Sequence, residues 1–175
     1  MALLIAIGAL GLSCATSVRE KWGPFRGQVV DMETGQPIAG AVALASWWEI
    51  VPTPIQGNSR FYDAKEALTG PDGRFEIPRL SGPLWPLGVQ PGEVIIFAKG
   101  YEWRATLVTP PGGQEFVDPT VAQMQRLKTP EEERKYLRRL LPAGVPHERM
   151  RQFIRALNEE RAALGMGTYS TGEEQ

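Results

Sequence analysis

The stretch Phe25–Ala41, FRGQVVDMETGQPIAGA, limits what this chain can fold into more than any other. Phe25, Gly27 and Val29 share one face of a strand, alternating with Arg26 and Gln28; Ile38, Val42 and Leu44 share a face further on. Period-two spacing is what a half-buried strand requires, because successive side chains point to opposite faces. Between the two runs, Asp31–Pro37 carries turn chemistry. Asp31 can bond the turn's own backbone, Gly35 can take positive φ, and Pro37 presets φ on the way out. The expectation is strand, tight turn, strand.

The same spacing continues downstream. Ala39, Ala41, Ala43 and Ala45 form a small-residue face opposite Val42 and Leu44, and Trp47-Trp48 follow. Ile50–Arg60, with two prolines, Gly57 and Asn58, reads as a loop, and Phe61–Thr69 as a strand. Gly70-Pro71-Asp72-Gly73 marks a turn, after which Phe75 and Ile77 share the core face. Arg79–Gly92 is a Pro/Gly loop containing Trp85. Val94–Lys99 is a short apolar run suited to a strand buried on both faces. Tyr101, Trp103, Ala105 and Leu107 alternate with polar residues as a half-exposed strand. Fifteen prolines and nineteen glycines suit so many turns.

Three of these segments are similar to one family. GQVVDMETGQPIAGA resembles the opening of carboxypeptidase regulatory-like domains, G-x-V-x-D-x-x-T-G-x-P-I-x-G-A, through Gly27, Val29, Asp31, Thr34, Gly35, Pro37, Ile38, Gly40 and Ala41. LTGPDGRFEIP (Leu68–Pro78) resembles the family's T-D-x-x-G-x-F-x-I, although Gly70 stands where Asp is usual. FAKGY (Phe97–Tyr101) resembles its A-x-G-Y, and the Pro-rich stretch before Val94 is longer than the family norm. The resemblance implies a transthyretin-like or Ig-like β-sandwich over residues 24–109 acting as a stalk, spacer or adhesion-like module. It implies no peptidase activity, since such domains accompany a catalytic one.

The N-terminus points to export. Ala2–Leu12 is an unbroken apolar run, about half the ~20 residues a membrane span needs and the length of a signal-peptide core. Leu12-Ser13-Cys14-Ala15 follows, resembling a bacterial lipobox, with Gly11 where Leu is usual. On that reading residues 1–14 are a lipoprotein-type signal and lipidation site at Cys14, and residues 15–23 a tether. Ala15 after the cysteine then leans toward the outer membrane of a Gram-negative host. Ordinary cleavage after Ala15 and a disordered or buried N-terminal helix are the alternatives. A single cysteine rules out an internal disulfide, and a single histidine rules out a His-cluster metal site.

Residues 110–119, Pro/Gly-rich, read as a linker, and residues 120–165 as helical. Val121–Leu127 is a candidate short helix. Thr129-Pro130-Glu131-Glu132 is a capping-box start for a helix to about Leu141, stopped by Pro142-Ala143-Gly144. A second helix from near Pro146 to before Gly165 carries Met150, Phe153, Ile154 and Leu157 on one stripe. Short connections predict an antiparallel α-helical hairpin appended to the sandwich. Residues 166–175 read as a disordered tail.

Candidate sites are few. Trp47, Trp48 and Trp85 could form an aromatic platform for sugar rings or a peptide; ordinary packing is the plainer reading. The Met150/Phe153/Ile154/Leu157 stripe could bind a partner in an envelope complex. Asp31 and Asp72 are better explained as turn residues, and Asp63, Glu66 and Glu76 as solvated surface. His147 reads as a surface histidine. Arg134, Lys135, Arg138 and Arg139 put bases on one side of a helix, either for anionic lipid or paired with Glu131 and Glu132. Net charge is −1 with interspersed signs, so nothing points to nucleic acid. No EF-hand loop, G-x-S-x-G or other catalytic set occurs, and no cofactor is expected. The expected role is non-enzymatic: a lipid-anchored structural or interaction module of the cell envelope, or one that binds glycan, peptide or a partner protein.

Overall fold

A computed structural model describes residues 22–51, 58–81, 88–107 and 120–170. Cys14, Trp85 and the expected linker lie outside them. The protein is mainly β, two facing sheets with a helical C-terminal part. The strands are β1 (Phe25–Asp31), β2 (Val42–Val51), β3 (Asn58–Leu68), β4 (Arg74–Ile77), β5 (Val89–Phe97), β6 (Arg104–Leu107) and β7 (Thr120–Met124). Sheet A has the order β4-β1-β7 and sheet B the order β3-β2-β5-β6. Two helices, α1 (Pro130–Leu137) and α2 (Arg151–Ala163), follow.

The stretch that opens the fold is a corner between the sheets. Up to Pro37 it behaves as a hairpin: Gly35 N–H bonds the Asp31 carbonyl, and Ile38 N–H bonds the Val29 carbonyl. Beyond that, Gly40, at φ +73, turns the chain out of sheet A, and β2 pairs with β3 and β5 rather than with β1. Hence Ile38 packs with the inter-sheet core, not with Val42 and Leu44 as a continuous strand would require.

Sheet B is covered on both faces. Ala41, Ala43, Ala45 and Trp47 face sheet A, meeting Phe25, Val29, Phe75 and Ile77; Trp47 stacks on Phe25 at 5.9 Å between centroids. The alanines leave room for those larger rings. On the other face, Val42, Leu44, Ile95 and Phe97 meet Leu137, Leu140, Met150, Phe153, Ile154 and Leu157. Val94, Ile96 and Ala98 of the same β5 region point into the first core, so the apolar run is buried on both faces as its composition predicts.

Four expectations need correcting. Val121–Met124 is not helical: Thr120–Met124 pairs in parallel with Gly27–Asp31 as an edge of sheet A. β-branched Thr120 and Val121 suit that pleat, and the sandwich therefore extends past the expected limit at residue 109. The half-exposed strand begins only at Arg104, and Ala105 is exposed, because Tyr101 is taken by a bridge to Arg126. α1 stops at Leu137, not Leu141: Pro142 has no N–H for the Arg138 carbonyl, its ring crowds that carbonyl, and it disfavours helical geometry at Leu141, so a further turn is not held. Residues 166–170 are not a loose tail. Met166 and Tyr169 pack on the helical core, and the Asn158 amide exchanges two hydrogen bonds of 2.8 Å with the Tyr169 backbone.

The helical hairpin is antiparallel, with Arg134 Nε donating to the Leu164 carbonyl and Arg161 Nη1 to that of Leu137. The Thr129 cap forms, its Oγ1 accepting the Glu132 N–H, and Glu132 reaches back one residue further than the capping box requires, to the Lys128 N–H.

If the helices belong to the core, Phe153→Ala should cost about 3–5 kcal/mol of stability. Val121→Ala, at an exposed edge position, should change it by about 0.5 kcal/mol or less. Urea unfolding of both variants measures the difference.

Candidate functional site

Three places concentrate polar or aromatic side chains. The first is the Asp31 corner, where the three motif segments meet. Asp31 Oδ1 accepts the N–H groups of Glu33 and Thr34, both at 2.9 Å. Its Oδ2 accepts the Tyr101 hydroxyl at 2.9 Å, with Arg126 Nε at 3.5 Å. The Arg126 guanidinium also lies over the Tyr101 ring, 4.7 Å from its centroid. The Thr34 N–H and then the Tyr101 hydroxyl hold the Asp31 carboxyl down at about 2. Burial, and next the Asp31 bond, push the Tyr101 hydroxyl up. Alongside, Gly73 accepts from Val29 N–H through its carbonyl, and a Cβ on it would fall 2.5 Å from the Val29 oxygen. Thr69 Oγ1 donates to the Ile38 carbonyl at 2.7 Å and accepts the Ala41 N–H at 2.8 Å. Every one of these groups is satisfied within the corner, so the arrangement holds three segments together and leaves no activated nucleophile or free base.

The second place joins the helices to sheet B through two carboxylates. α2 has no cap of its own, since Met150 cannot supply a side-chain acceptor. Glu66 of β3 supplies one: its carboxylate accepts the N–H groups of Gln152 at 3.1 Å and Phe153 at 2.7 Å. An anion there also suits the positive end of the helix dipole. Glu160 accepts the Gly100 N–H at 2.8 Å, and its other oxygen has no partner among the described residues. Burial pushes both carboxyls up. The structure thus gives Glu66 a specific role that a surface reading of the sequence misses. Its only sequence signal is a carboxylate within a strand of mixed pattern, with nothing to indicate a helix 86 residues away. Asp63 lies beside Arg149 at 3.4 Å, Glu76 is bonded to Arg26, and Asp72 caps its turn by accepting the Arg74 N–H. His147 Nδ1 meets the Ser170 carbonyl at 2.8 Å.

The third place is the tryptophan region. Trp47 and Trp48 point to opposite faces of sheet B, so they form no shared platform. Trp47 is fully buried. Trp48 is half-buried, edge-on to Phe61 at 5.8 Å, with its Nε1 donating to Ser46. Gly92 and Gly144 press on the indole: a Cβ on either would fall within 2.8 Å of it. The extra residues of β5 opposite Ser46 bring Gly92 in. A groove of about 370 Å³ remains beside the ring, lined by Ser46, Ser59, Glu93 and the Pro142–Val145 turn. The Met150/Phe153/Ile154/Leu157 stripe is no partner surface. All four are fully buried on the chain's own sheet B, because Val42, Leu44, Ile95 and Phe97 need that cover.

Among the described residues no group of three or more His, Cys, Asp or Glu is placed to hold a metal ion, and no helix is long and apolar enough to cross a membrane. No family model matches the chain, and no curated protein matches it. Among solved structures, a 9R-lipoxygenase from Cyanothece PCC8801 aligns at 13% identity and a TM-score of 0.27, covering 90% of this chain. The chain spans only 26% of that protein's length, and a likeness at this level carries no argument.

The carboxylates make opposite demands on pH. Asp31, held below its ordinary 3.8, stabilises the fold above that value, and the contribution is lost as pH falls toward about 2. Glu160, raised above its ordinary 4.5, holds its proton more tightly when folded, so stability declines as pH rises from 4.5 through the raised value. Asp31→Asn should therefore flatten the acid limb of the unfolding midpoint, and Glu160→Gln the decline on its other side. Urea midpoints from pH 2 to 8 measure both.

Proposed function

We propose that this protein is a non-enzymatic structural or interaction module of the cell envelope, built on a carboxypeptidase regulatory-like sandwich and anchored through a lipid on Cys14. The observation that carries the non-enzymatic part is the Asp31 corner. The three segments that resemble that family converge there, and Asp31, Thr69 and Tyr101 spend their polar atoms on each other and on turn backbone. The residues that make the motifs recognisable are fold determinants. The anchoring part draws on the apolar run Ala2–Leu12 and the Leu12-Ser13-Cys14-Ala15 segment. Several acyl chains at ~0.8 kcal/mol per buried CH₂ would hold such a domain firmly at a bilayer. The first described residues agree with attachment from one end, since Trp22 packs on the inter-sheet core and β1 starts at Phe25.

A glycan- or peptide-binding role is the second reading. It is favoured by the groove beside Trp48, where Ser46, Ser59 and Glu93 add hydrogen-bonding groups to one indole edge. It ranks below the first because Gly92, Gly144 and Phe61 already cover much of that ring.

The test is the intact mass of the native protein from a bacterial membrane fraction, beside a Cys14→Ser variant. The expected species begins at Cys14 and carries acyl chains, and the variant carries none. A chain beginning at Thr16, or an unprocessed one, would remove the anchor from the proposal.

A further inference from the structure

The exposed side of α1 and the turn that ends it gather four cations. Arg134, Lys135, Arg138 and Arg139 surround a shallow cleft of about 390 Å³, with Glu131 at its rim. The i,i+4 pairing that would neutralise such a face is mostly absent. Glu132 is turned back onto the Lys128 N–H. Glu131 reaches only Arg134, at 3.6 Å. No carboxylate of the described residues pairs with Lys135, Arg138 or Arg139, and all three are exposed. Leu141, just beyond them, exposes an apolar side chain at 37%.

The geometry points to this face as a docking surface for a bilayer rich in anionic phospholipid. Three exposed cations without a carboxylate partner, one on α1 and two in the turn that ends it, can each meet a separate phosphate in a plane of headgroups. A shallow cleft offers little enclosure to one small anion, and an exposed leucine beside the cations can reach the headgroup boundary. Arg side chains also carry the forked donors that match phosphate oxygens. This inference deepens the envelope reading above by specifying how the domain would sit against its membrane. It adds an orientation, helix side down, to the attachment that a lipid on Cys14 would supply.

The experiment separates the two ideas by using the full chain with Cys14→Ser, which can carry no lipid. Its co-sedimentation is compared between vesicles of phosphatidylcholine alone and vesicles that also contain phosphatidylglycerol. Because the apolar run Ala2–Leu12 is common to every variant, the readout is the extra binding that phosphatidylglycerol adds over phosphatidylcholine alone; that extra binding is expected, and added salt weakens it as screening predicts. Adding Lys135→Gln, Arg138→Gln and Arg139→Gln should weaken it on the order of a hundredfold, at roughly fivefold per cation. Arg138→Lys with Arg139→Lys should retain binding, because the charge stays, and far-UV circular dichroism checks that each variant folds. Equal binding to both vesicle types, or binding unchanged by the Gln substitutions, would overturn the proposal. So would displacement by inorganic phosphate at low concentration, which would make the cleft a small-anion site. Lipidation of Cys14 in cells is read separately by mass, so either idea can fail without the other.

Discussion

Sheet B has no face that water can be allowed to reach. β2 and β5 carry apolar residues on both sides of their pleats, and a strand of that kind must be covered twice. Sheet A covers the side of Ala43, Ala45, Trp47, Val94 and Ile96; the two helices cover Val42, Leu44, Ile95 and Phe97. The consequence is a three-layer body in which the helical segment is a wall of the core. It also explains why the short helices form at all. Eight and thirteen residues are too few for independent stability in water, but packing against sheet B supplies what propensity cannot. The same requirement uses up the apolar stripe of α2, so what both helices leave for contact is their polar outer sides.

Polar side chains then fix where the layers meet. At one corner, Asp31 ties the β1 turn to Tyr101 and, through Arg126, to the segment after β7. Across the other interface, Glu66 and Glu160 tie α2 to β3 and to the Gly100 turn. The two sets differ in kind. Asp31 is bonded well enough to stay ionised far below its ordinary range, whereas the glutamates are buried without full compensation and resist ionisation. The helix interface is thus the more weakly compensated of the two.

Local chemistry was the most legible part of the sequence. The Asp31–Pro37 and Gly70–Gly73 turns, the Thr129 cap and the doubly buried β5 run all follow from residues within a few positions of one another. What escaped depends on distant partners. Phe25–Ala41 reads as a hairpin because its turn is one, and only the positive φ at Gly40 sends β2 into the other sheet. Val121 stands in an ambiguous short run, and its strand exists because β1 offers a parallel edge. Trp47 and Trp48 read as a pair, yet adjacent residues on a strand face opposite ways, a consequence that period-two logic already contained. Tyr169 reads as tail because nothing local announces that Asn158 and Arg161 will hold it. Nothing around Glu66 announces the helix it caps.

α2 forms one cooperative core with sheet B, and native-state hydrogen exchange is the test. Amides of Ile154–Ala162 and those of Leu44, Ile95 and Phe97 should open with the same free energy and the same dependence on denaturant. Exchange of α2 through a separate, lower-energy opening, with β2 and β5 still protected, would contradict it and make the helices an appendage.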